Sequence, residues 1–198
     1  MGRRVIAALG LGVLVLSGCG AMDAGEAAVS DEFRISQADV DAEISLVLDA
    51  LGQPPAQPPE GLATATTQRL VQDALFLAKA EELGVEVTQS QVDAGLAELA
   101  AQNGGQDALE QAALQAGIAP ESLDDFVRTG LLIREIGQKL GSTADASVQS
   151  ELARAELVAY SADIGVRVAP RYGRWDDSQL SIVPGSSVAR PPVETAGP

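Results

Sequence analysis

Cys19 is the single thiol of a 198-residue chain that contains no histidine. One sulfur cannot build a disulfide framework, and without imidazole the commonest general base and metal ligand are both missing. Two acid pairs, Asp124-Asp125 and Asp176-Asp177, could act as paired carboxylates or coordinate calcium. Neither lies in an oxygen-rich loop of the calcium type, and adjacent acids at a helix start or a turn are ordinary. Lys79, Lys139 and the serines lack any base or nucleophile context, and there is no glycine-rich loop for a phosphate. These residue types predict a non-enzyme that uses neither metal nor cofactor.

The place of Cys19 gives its sulfur a different use. Gly2-Arg3-Arg4 is a short basic stretch and Val5 to Leu16 a nearly unbroken apolar run. That is the charged and apolar order of a secretory signal, too short to span a bilayer. Leu16-Ser17-Gly18-Cys19 resembles the lipobox of bacterial lipoproteins. The resemblance implies a signal peptide over 1–18, cleavage before Cys19, and acylation of that cysteine with long chains such as palmitate. It places the protein on the extracytoplasmic face of the cell membrane. The alternative is an ordinary signal peptide cut near Ala21. Two acyl chains would hold firmly, at about 0.8 kcal/mol per buried methylene. Without Arg3 and Arg4 the chain carries 11 Lys and Arg against 28 Asp and Glu, or −17. Such a surface repels nucleic acid and anionic headgroups.

Gly, Ala, Asp and Ser dominate 19–31 without period and predict a flexible tether. Phe33 and Ile35 alternate with polar residues, a short strand signal. Ser36 with Asp39 caps a first helix through Val40, Ile44, Val47, Leu48 and Leu51, which Gly52 ends. Two proline pairs between Gln53 and Gly61 forbid helix there, giving a spacer or a polyproline ligand. A long helix over 62–83 carries Leu70, Ala74, Leu77 and Ala78 on one stripe, widened by Val71 and Leu75, and stops at Gly84.

Thr88 and Gln91 form a capping box for a third helix through Val92, Leu96 and Leu99, and a fourth runs from Gln106 to Ala116. Pro120 opens a fifth, with Leu123, Phe126, Val127, Leu131 and the run Ile133 to Ile136 at its apolar positions. Residues 145–163 read as a sixth. Val166, Val168, Tyr172, Gly173 and Trp175 then read as strand, turn and extended segment, before a disordered tail over 184–198. Isolated strands at both ends would leave backbone groups unmet, so they should pair with one another. The fold class is therefore mainly α, about six helices with a small β pairing of the N- and C-terminal short strands.

"RISQADVDAEI", "RLVQDALFLAKAEELGVEVTQSQVDAGLAEL" and "VRVAPRYGRWDD" resemble, in order and spacing, the opening strand and first helix, the second and third helices, and the closing segment of SurA-like chaperone domains of exported bacterial foldases. The likeness covers about 32–183, the expected folded domain. It implies a chaperone-type role toward unfolded or unassembled exported polypeptides. Many relatives insert a parvulin isomerase domain before the closing segment. Here the sixth helix leads directly into "VRVAP" and no histidine is present, so isomerase activity is not expected. A holdase needs apolar surface that tolerates misfit. Phe76 and Phe126 are the candidate client-binding residues, with core packing the alternative for each; Trp175 and Tyr172 are expected to cover the strands. A structural or adaptor lipoprotein that holds one envelope partner is the competing functional reading.

Overall fold

Local groups set the ends of the helices in the computed structural model, which describes residues 22–54 and 58–185. The expected signal peptide and Cys19, the centre of the proline loop, and residues 186–198 of the expected tail lie outside these bounds. In helix α1 (Gln37–Ala50), Ser36 Oγ accepts the Asp39 N–H while the Asp39 carboxylate accepts the Ser36 N–H at 2.8 Å. These are two of the donors a helix start leaves unsatisfied. Hydrogen bonds from Ser36 hold the Asp39 carboxyl below its ordinary range. Helix α2 (Leu62–Leu83) ends at Gly84, whose φ of 62° is the left-handed conformation that glycine adopts freely. Thr88 and Gln91 make the expected box for α3 (Gln89–Asn103). After α4 (Gln106–Gln115), a 3-10 turn at Pro120–Ser122 feeds α5 (Leu123–Leu140), and Asp145 caps α6 (Ala146–Asp163). The fold is mainly α, with six helices among the described residues.

The two ends of the fold do meet, through a strand that the sequence concealed. Strand β1 (Glu26–Val29) lies at the centre of a three-stranded antiparallel sheet, between β2 (Arg34–Ser36) and β3 (Arg167–Val168). Ala28 faces Ile35 on one side and Val168 on the other. The expected tether over 19–31 is therefore corrected for residues 26–31, and the folded body begins at Glu26 rather than residue 32. The expected strand around Phe33 to Ile35 joins the far end only by way of β1. Strands β4 (Arg174–Asp176) and β5 (Ser181–Val183) form a separate hairpin. Trp175, within β4, and Tyr172, just before it, are buried in the main core, Trp175 donating its Nε1–H to Ser161 Oγ of α6 at 2.8 Å and Tyr172 its hydroxyl to Gln37 of α1.

One core joins the sheet to α1, α2, α5 and α6 through Ala28, Leu48, Leu75, Ile136 and Leu157. The burial of α2 is displaced from the expected stripe: Val71, Leu75, Phe76 and Ala80 are buried, whereas Leu77 is exposed. Smaller apolar clusters bind α3 and α4 to α5 through Val92, Val127 and Leu131, and through Leu109, Ala113 and Leu123. Helix α5 thus buries Leu132 and Ile136 in the main core on one side, and Leu123 and the pair Val127 and Leu131 in the two smaller clusters on the other. Its contact with α6 is close enough that a Cβ built on Gly137 would lie 2.6 Å from the Gln149 carbonyl oxygen. Gly137→Ala should therefore lower stability by about 1–3 kcal/mol by forcing these helices apart. Gly130→Ala, on the same helix with nothing within 4 Å of the added carbon, should be neutral or raise stability by up to about 1 kcal/mol. Urea unfolding of the two variants checks both values.

Candidate functional groove

Helices α2, α3 and α5 do not close completely on one another, and the gap is an open groove of about 540 Å³. Its apolar lining includes Phe76 from α2, Leu99 from α3, and Phe126, Val127, Leu131 and Ile133 from α5. The apolar stripe comes from α5, whereas α2 and α3 each add one large apolar side chain among polar lining residues at helical spacing, such as Arg69 and Asp73 before Phe76 and Gly95 and Glu98 before Leu99. Gly95 permits the approach of α3, because a Cβ there would stand 2.8 Å from Val127 Cγ1.

Both aromatic residues singled out from the sequence line this groove, in different ways. Phe76 is 7% exposed and belongs to the main core, whereas Phe126 is 43% exposed. Phe76 is therefore part of the fixed floor and Phe126 a wall that a bound segment can touch. The remaining lining was not legible as a site. Leu99, Leu131 and Ile133 read as helix-packing positions, which they also are. A glycine inside the third helix, Gly95, was the available signal, since a helix-interior glycine costs about 1 kcal/mol and points to a close approach. Cys19 lies outside the described residues.

The polar end of the groove is tied to the body. Arg69 pairs with Glu43 of α1 and, at 3.3 Å, with Asp73 one turn along α2. Thr129 of α5 donates to Asp73 Oδ1 at 2.8 Å, and Ser122 donates to Glu43 Oε2 at 2.8 Å. Burial pushes the Asp73 carboxyl above its ordinary 3.8; the Thr129 hydrogen bond and Arg69 oppose that rise, while Asp125 and Glu43 add to it. A second buried charge is locked elsewhere. Lys79 donates to Glu156 at 2.6 Å and to Glu82 at 3.1 Å, and its Nζ stands 4.8 Å from the Tyr160 ring centre. Burial opposes its charge, but the two carboxylates outweigh that and hold the ammonium above its ordinary pKa.

The acid pairs do not converge on a reacting centre. Asp124 accepts from Gln89, Asp176 accepts from Ser178 and Gln179, and Asp177 accepts from Ser161. Among the described residues no cluster of three or more Asp, Glu, His or Cys could hold a metal ion, and no helix is long and apolar enough to cross a membrane.

The raised Asp73 pKa has a defined sign. The folded protein holds this proton more tightly than the unfolded chain does, so the associated stability is present below about pH 3.8 and is lost as pH rises through the folded value. A carboxyl-detected NMR titration should give Asp73 a midpoint above 3.8. Thr129→Val, which removes a hydrogen bond to the ionised form, should raise that midpoint further.

Comparison with known proteins gives one finding for this architecture. The family model of the SurA N-terminal domain matches residues 26–137, from β1 into α5 and across all three helices of the groove. No curated protein and no solved structure matches the chain.

Proposed function

Because the chain belongs to the SurA N-terminal domain family, a chaperone-type and non-catalytic domain, we propose that it is a holdase. It shelters apolar segments of unfolded or unassembled exported polypeptides in the groove between α2, α3 and α5, without catalysing a reaction. The observation that carries this reading is an open, helix-lined groove whose lining includes the half-exposed Phe126 as well as the buried Phe76. An aromatic wall free on one side offers apolar area to a client. Its lack of enclosure suits segments of differing shape. Release needs no nucleotide in this scheme, since binding is shallow.

The same proposal places the protein on the extracytoplasmic face of the membrane, held by lipid on Cys19 after removal of residues 1–18. The ordered basic and apolar stretches before Leu16-Ser17-Gly18-Cys19 support that location. It also takes the protein to be a form without a parvulin domain. Only Ile164, Gly165 and Val166 separate α6 from β3, where relatives insert that domain, which supports the reading.

Light scattering from two unrelated heat-unfolded proteins tests the holdase. The chain from Gly20 onward should suppress aggregation beyond an equally acidic inert protein. Phe126→Ser should remove most of that suppression while changing stability by no more than about 0.5 kcal/mol, as for a surface position. Phe76→Ala should instead cost about 3–5 kcal/mol, because it empties a packed site. Absence of suppression at several-fold excess would reject the holdase and favour an adaptor for one partner. Separately, Cys19→Ser should abolish palmitate incorporation and move the protein from the membrane to the soluble fraction of cells that export it.

A further inference from the structure

The holdase reading leaves open which segments the groove prefers, and the charges around its apolar lining narrow the answer. Helix α2 contributes Asp73 and Arg69, and α3 contributes Glu98. Glu43 stands behind Arg69, and Asp125 is near enough for its charge to act on Asp73. Four carboxylates therefore lie in or beside the groove against one guanidinium, which is already paired with Glu43 and Asp73. Arg128, the next cation along α5, is turned elsewhere: it donates to the Val87 carbonyl at 3.2 Å and to Gln89 at 2.8 Å. Glu98 and Asp125 are both exposed, so a ligand can reach them.

We propose that the groove selects client segments in which a large apolar side chain lies next to a lysine or arginine, the apolar group seated against Phe126 and the cation set at the acidic rim that Glu98 lines and Asp125, the chain neighbour of Phe126, flanks. The inference rests on the holdase reading of the same groove and names the chemistry of its occupant. A long cationic side chain suits both parts of the site. Its methylene stem can lie along apolar surface while the charged head stays at the wet rim, and the exposed Phe126 ring can receive a cation on its face. The acidic chain as a whole adds a field that steers cations toward it and repels acidic segments.

The test is fluorescence anisotropy with labelled short peptides that share the same Leu and Phe residues and differ only in carrying Lys, Gln or Glu beside them. The protein is the chain from Gly20 onward, which keeps every described strand and helix. The Lys peptide should bind about tenfold more tightly than the Glu peptide, with the Gln peptide between them and the gap closing at high salt. Replacing Glu98→Gln and Asp125→Asn together should shrink the gap several-fold. The charge-matched pair Glu60→Gln and Glu151→Gln, outside the groove, should leave most of it.

Equal binding of all three peptides would overturn the selectivity and leave the holdase reading standing. An equal loss in the two double variants would assign the preference to net charge and overturn the role of the rim. Failure of every peptide to bind would remove the holdase reading and this inference with it.

Discussion

The fold depends on one helix serving two bodies. Helix α5 gives Leu132 and Ile136 to the core shared with the sheet, α1, α2 and α6, and gives Leu123, Val127 and Leu131 to the clusters with α3 and α4. Burying apolar side chains on two flanks requires partners on two flanks, since each buried side chain contributes about 1.5–3 kcal/mol only when both sides are dry. The partners cannot also meet one another everywhere. The unfilled wedge where α2 and α3 diverge over α5 is the groove. Its shape thus follows from core packing and does not need a dedicated loop.

Polar contacts fix the α2–α5 side of that wedge and tie it to α1. Arg69, with Glu43 and Asp73, links α1 to α2, and Thr129 extends the link to α5. A partly buried ion pair is weak evidence of stability, because desolvation offsets much of the attraction. Its value here is geometric: breaking one partner would leave a charge in a poorly solvated place, so the three helices keep one relative position. Lys79 plays the corresponding part between α2 and α6.

In this chaperone-type domain the helices around the groove fix a surface. Among the described residues, Asp124 is held by Gln89 of α3, Asp176 by Ser178 and Asp177 by Ser161 of α6. What is fixed is an apolar wall with an acidic margin. Phe126 supplies apolar area without enclosure, so in the proposed holdase recognition would rest on the kind of side chain presented rather than on its detailed shape.

The sequence by itself determined the helices, because their signals are local. Ser36 with Asp39, Thr88 with Gln91, and Gly84 satisfy or release backbone groups within a few residues, so their effect does not depend on the rest of the chain. It also showed that the ends should pair, since lone strands leave donors unmet. It did not show that Glu26–Val29 is the central strand. A run of small residues looks like a tether until its partner is supplied, and Val168 lies far along the chain. Nor could it separate Phe76 from Phe126. Both occupy apolar positions on amphipathic helices, and only the packing of the neighbouring helices decided that one is buried and the other exposed. Exposure at a helix face is set by what the neighbouring helices leave uncovered, which is a property of tertiary packing.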